Sequence, residues 1–179
     1  IMGYFVTASE LGLYSAAQRP VMALYIIPAI IGTAIFPSVA RLAKENKERL
    51  QNVLEMALTI TFLISLPIFF GGALLSKDII QFLFGNEYMM AASTFSVILL
   101  TIVLIFPQAF LTGGIFALDG QKKFIRVLIV GSLSNVVLDL FLIPRYGGLG
   151  SAIATVITGA VITMLMWREM ERAISLRIN

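Results

Sequence analysis

Two charge-free runs of 21 residues each, Pro20 to Ala40 and Met56 to Ser76, lie on either side of the chain's densest charge cluster, Arg41-Leu42-Ala43-Lys44-Glu45-Asn46-Lys47-Glu48-Arg49. A helix rising about 1.5 Å per residue needs about 20 apolar residues to cross a hydrocarbon core about 30 Å thick. The pattern therefore predicts two membrane helices joined by a short basic turn. Loops rich in Lys and Arg stay on the cytoplasmic side. Placing this turn inside sets the expected side of every later loop.

The composition points the same way. The chain is 59% hydrophobic and 13% charged, whereas soluble domains carry about 25% charged residues. That excludes an ordinary soluble globule. The net charge of +3 is small, and the basic residues sit in loops beside apolar runs. They read as topology signals and contacts for anionic lipid, and a nucleic-acid partner is not expected. There is no Cys and no His. A disulfide framework, a thiolate metal site and the commonest general base are thereby removed, and no cofactor or metal centre is expected. Ile1-Met2 runs straight into apolar sequence without a basic leader, so the expectation is a segment of a longer chain.

The fold class expected is all-α, a polytopic bundle of five full transmembrane helices plus the end of a sixth. Residues 1–17 look too short and mixed to span, and read as the end of an earlier helix followed by a tight turn. The crossings are expected at roughly 19–40, 53–75, 91–118, 127–144 and 149–167. Pro20 suits a helix start, while Pro28 and Pro37 should kink or break the first crossing. Residues 76–88 form an outer loop with a short amphipathic piece, Ile79 to Phe84, ended by Gly85-Asn86. The third charge-free run, Tyr88 to Leu118, is 31 residues long, which predicts tilt or a kink at Pro107 and Gly113-Gly114. Arg145-Tyr146-Gly147-Gly148 is a tight outer turn. Gly150, Ala154 and Thr158 form a small-residue row that lets helices approach closely. Alternating loops put ten of the 13 Lys and Arg on one side. That side is assigned to the cytoplasm of a multi-pass cell-membrane protein, with the C-terminus inside.

With the loops placed, four motifs come into order: Gly12-Leu13-Tyr14-Ser15-Ala16-Ala17-Gln18-Arg19, Ile35-Phe36-Pro37-Ser38, Leu83-Phe84-Gly85-Asn86-Glu87-Tyr88, and Leu142 to Thr155. In these the chain resembles the polysaccharide transporter branch of the multidrug/oligosaccharidyl-lipid/polysaccharide exporter superfamily. The resemblance covers nearly the whole chain. It implies a second, C-terminal lobe of a two-lobe transporter, partnered by an N-terminal lobe of the same protein. It implies a flippase that moves a polyprenyl-pyrophosphate-linked oligosaccharide, such as an O-antigen precursor, by alternating access.

Few residues could carry chemistry. Asp139 is the only carboxylate deep in a crossing, and Gly131, Asn135 and Asp139 share one helix face. An ionisable group in a membrane helix is a functional candidate by default: Asp139 would bind H+ or Na+, with Asn135 as a neutral ligand. The alternative is a hydrated interfacial carboxylate, or one paired with Arg145 or Arg19. The family usually has a polar residue such as Asn near here, which favours a structural or cavity-lining role. Arg19, beside Gln18, could hold the pyrophosphate of a carrier lipid, or simply snorkel to the interface. Gln108 beside Pro107 lines a cavity or satisfies carbonyls freed by the proline.

Four functions remain open on the sequence, the last a non-transporting membrane scaffold, against which the Pro and Gly breaks argue. A flippase for lipid-linked oligosaccharide leads. A cation-coupled multidrug exporter of the same superfamily is second. A membrane-bound transferase acting on a carrier lipid is third. It would need clustered carboxylates for a divalent metal, and the basic loops offer only Glu45, Glu48 and Asp119. No phosphate-binding Gly-x-x-x-x-Gly-Lys loop is present. No enzymatic activity is expected, and transport would draw on an ion gradient, the membrane potential or product consumption.

Overall fold

The computed structural model describes residues 1–174. They form helices α1 (Met2–Phe5), α2 (Ala8–Leu24), α3 (Ile26–Glu45), α4 (Lys47–Leu74), α5 (Ser76–Phe84), α6 (Ala91–Leu99), α7 (Thr101–Ala117) and α8 (Gln121–Ala173). A 3-10 turn, Asn86–Tyr88, lies between α5 and α6. Four helical stretches are long and apolar enough to cross a membrane: Ala8–Glu45, Lys47–Leu74, Ala91–Ala117 and Gln121–Ala173.

The last stretch is two crossings. Its backbone leaves helical geometry at Gly147, where φ is 55° and ψ −133°. That left-handed conformation carries little penalty for glycine. The Asn135 amide donates to Thr158 Oγ1 at 3.3 Å across 23 residues, which in a straight helix would be about 35 Å apart. Lys123 and Glu169, near the far ends, are 3.4 Å apart. Thus α8 is an antiparallel hairpin with arms at 121–146 and 148–173 and its tip at Gly147. The described residues thus hold five apolar crossings.

The first crossing starts earlier than expected. Residues 8–17 are not a turn: Thr7 accepts from the Glu10 amide at 3.3 Å, and the Glu10 carboxylate accepts from the Thr7 amide at 3.3 Å. This capping box satisfies two free helix-end donors, so α2 begins at Ala8 and Pro20 lies inside it. The break comes at Tyr25, where the amide turns back to the Met22 carbonyl. Pro28 explains it, because its ring excludes a bond to the carbonyl four residues earlier, at Leu24. Pro37 sits within α3 without interrupting it.

The third crossing breaks at Leu100 and not at Pro107 or Gly113-Gly114. There the Thr101 hydroxyl takes the Ile98 carbonyl and shares a 2.6 Å hydrogen bond with the Tyr25 hydroxyl. A side chain tied to a distant helix thus replaces a backbone bond. The two breaks, at Tyr25 and next to Thr101, lie side by side.

Each turn has a local cause. Asn46 is the single non-helical residue between α3 and α4, and its side chain accepts from the Arg49 amide at 3.0 Å. Asp119, with φ of 57°, ends α7, and Gly120 N–H returns to the Ile115 carbonyl at 2.8 Å. These turns define a basic end of the bundle. The Gly147 tip, α5 and the start of α2 define the opposite end. α7 packs against α3, α4 and α8. One core cluster near the basic end joins Leu54, Leu58, Leu111 and Met170. A second, toward the tip, joins Val21, Ile80, Phe95 and Ile98.

Candidate functional site

In a bundle this apolar, the grouped polar side chains are informative, because hydrocarbon offers them no partners. Gln108, on α7, donates to Thr163 Oγ1 at 2.9 Å and to the Gly159 carbonyl at 3.2 Å, both on the second arm of α8. It also stands on the wall of two clefts. One, of about 570 Å³, lies between α3 and α7 and is floored by small residues such as Gly32, Ala109 and Gly113. The other, of about 420 Å³, lies between α7 and the two arms of α8 and includes Asn135, Thr155 and Thr158. The fold therefore brings Gln108 and Asn135 to one cleft.

Asp139 sits one turn from Asn135 toward the tip, and is 9% exposed. Ser151, on the facing arm, stands near its carboxylate. Its Oδ1 is buried without a hydrogen-bond partner among the described residues. The ion pairs found among the described residues are Arg41–Glu45, Lys123–Glu169 and Arg172–Glu169. Asp139 is thus not paired with Arg145 or Arg19. Gly131, Asn135 and Asp139 all face the second arm, opposite Ile162, Thr158 and Ser151 respectively. Among the described residues, no group of three or more His, Cys, Asp or Glu is gathered for a metal ion.

Arg19 lies apart from this cluster. It is about three turns inside α2, not at the start of the crossing, and its side chain is exposed. It lines a third cavity, of about 400 Å³, between α2 and the end of α5 with the 3-10 turn that follows it. Gln18 is half-buried and lies outside that cavity's lining. The four polar partners Thr101, Ser151, Thr158 and Thr163 were not singled out from sequence as site residues. Folding the chain back at Gly147 would have set Thr158 opposite Asn135, and Ser151 about one turn along the arm from the position facing Asp139.

A bundle of broken apolar helices with polar clefts between them defines a multi-pass membrane protein. The solved lipid II flippase MurJ, in an inward closed conformation, superposes on it with a TM-score of 0.82. That likeness covers 95% of this chain and 37% of the other, at 19% identity. The family model of the lipid II flippase MurJ matches residues 4–179, and the chain belongs to that family. Among curated relatives, a probable low-salt glycan biosynthesis flippase, Agl15, of Haloferax volcanii is 25% identical over 100% of this chain and 38% of its own length. A probable lipid II flippase MurJ of Helicobacter pylori is 26% identical over 92% of this chain and 37% of its own length. The chain thus spans less than two fifths of these relatives.

Proposed function

We propose that the protein is a flippase that moves a polyprenyl-pyrophosphate-linked oligosaccharide across the cytoplasmic membrane by alternating access. This chain supplies one lobe and a second lobe of the same protein completes the pathway. The basic end, with the C-terminus, faces the cytoplasm, and the Gly147 tip faces outward. The observation that carries this reading is Arg19: a guanidinium with no ion pair among the described residues, on a cavity wall, inside a membrane-length helix. An anion offsets the cost of holding such a charge at membrane depth, and the planar guanidinium fork suits phosphate oxygens. Gln108 and Asn135 supply hydrogen bonds along the clefts, and surrounding membrane lipid covers the apolar faces.

Transport is coupled to H+ or Na+ at Asp139. One carboxylate with neutral oxygens from Ser151 and the neighbouring Asn135 suits a monovalent cation or a proton, and has too little charge for a divalent metal. Occupancy would satisfy the orphaned Oδ1.

The test uses the full-length protein in vesicles with a fluorescent polyprenyl-pyrophosphate oligosaccharide. Appearance of the lipid in the opposite leaflet, faster with an H+ or Na+ gradient, is the expected result. No flipping, together with release of a small amphipathic cation, would replace this reading with a multidrug exporter. Cleavage or transfer of the glycan would replace it with an enzyme.

A further inference from the structure

The Arg19 cavity has a second chemical character beyond its charge. Gly85, with φ of 87°, turns the chain sharply after α5, and Gln81 closes the loop by donating to Asn86 Oδ1 at 2.8 Å. The turn brings Phe84 and Tyr88 together, with ring centroids 5.8 Å apart and planes inclined at 48°. Both line the cavity opposite Arg19, whereas Phe82, on the same short helix, is 88% exposed. The α2 wall is cut back: a Cβ on Gly12 would meet nothing within 4 Å. Next to it, Ser15 donates to the Leu11 carbonyl at 2.8 Å, which leaves its oxygen free to accept.

A cation at one side, a tilted aromatic pair at the other and open space between them match a phosphorylated sugar. A pyranose ring presents an apolar C–H face to an aromatic surface, whose face carries negative charge density, while a phosphate sits on the guanidinium. At about 400 Å³, the cavity is within the usual range for a small-molecule site and accommodates one sugar with its phosphate. We infer that this cavity is an outward-side subsite for the first sugar of the lipid-linked glycan, which stacks on Phe84 and Tyr88 with its phosphate on Arg19. The inference rests on the flippase reading above and adds to it where the glycan is gripped. Specificity for a glycan-bearing lipid over the bare carrier lipid would then come from the aromatic pair, and affinity for both from Arg19.

The test measures equilibrium binding of two probes to the full-length protein in nanodiscs of zwitterionic lipid. One probe is a polyprenyl-pyrophosphate oligosaccharide, and the other is polyprenyl pyrophosphate without sugar. Arg19→Ala is expected to weaken both. Tyr88→Leu and Gly12→Met, the second filling the cavity from a position without a clash, are expected to weaken the sugar-bearing probe about tenfold, the scale of one aromatic contact. Tyr88→Leu should bind the sugar-free probe like the wild type. If both variants bind the sugar-bearing probe normally, or Tyr88→Leu loses both probes equally, the sugar subsite is wrong while the flippase reading stands. If the wild type binds neither probe, the flippase reading itself fails. Displacement of the sugar-bearing probe by an equal concentration of anionic phospholipid would make the cavity a general headgroup site and overturn the inference.

Discussion

Gly150 and Leu142 face each other across the tip of α8 so closely that a Cβ on Gly150 would overlap the Leu142 carbonyl oxygen. The obstacle is backbone and cannot swing aside. Gly150→Ala is therefore expected to destabilise the fold by about 1–3 kcal/mol, the range of overpacked cores. Gly12→Ala, in open space on α2, should be neutral or gain up to about 1 kcal/mol in helix stability. Thermal unfolding in detergent of the two variants side by side checks both.

Gln108→Leu removes the two hydrogen bonds from α7 to the second arm of α8. Thr163 keeps its own bond to the Gly159 carbonyl at 2.8 Å, so that hydroxyl is not orphaned. Bonds between membrane helices are worth about 0.6 kcal/mol on average. Melting temperature and membrane abundance should change little. Transport in a flippase-null strain should drop more than that loss of stability predicts, because Gln108 lines both clefts.

Asp139→Asn retains a hydrogen-bonding group opposite Ser151, and the protein should fold at normal abundance. Flipping by this variant should no longer respond to an H+ or Na+ gradient. Asp139→Leu removes every hydrogen-bonding group from that position between the arms and should lower abundance as well. Gradient-stimulated flipping by Asp139→Asn equal to that of the wild type would remove the coupling role.

Thr7→Ala breaks the capping box at the head of α2. N-cap losses run about 0.5–2 kcal/mol, and this cap is exposed. The expected change is a melting temperature a few degrees lower, with hydrogen exchange faster in residues 8–11 and unchanged in α7.

What could be read from sequence followed the charges. The Arg41 to Arg49 cluster and the Arg145 to Gly148 turn are local signals, and the structure has a one-residue linker at Asn46 and a hairpin tip at Gly147. The start of α2 was also written locally, in Thr7-x-x-Glu10, but Pro20 gave a competing start signal, and the capping box is the stronger of the two. The break at Leu100 could not be read from the run that contains it. It depends on Thr101 meeting Tyr25, 76 residues away. The candidate site shows the same division. Asn135 and Asp139 stand out because they are polar among apolar neighbours, while Ser151 and Thr158 become partners only once the register of the hairpin is known. The cavity at Arg19 was invisible because its aromatic wall comes from a different loop.

The Gly147 hairpin bears on how the protein is made. Its first arm carries Asn135 and Asp139, and an Asp at the centre of a lone helix costs about 2.5–3.5 kcal/mol to insert. The facing hydroxyls, Thr158 and Ser151, emerge from the ribosome only with the second arm. The two arms should therefore enter the bilayer as a pair. A nascent chain stopped just after Gly147 should lodge its last segment poorly, and synthesis through residue 173 should rescue it. The tight turn thus shortens the wait between a helix that cannot insert well alone and the partner that makes its insertion favourable.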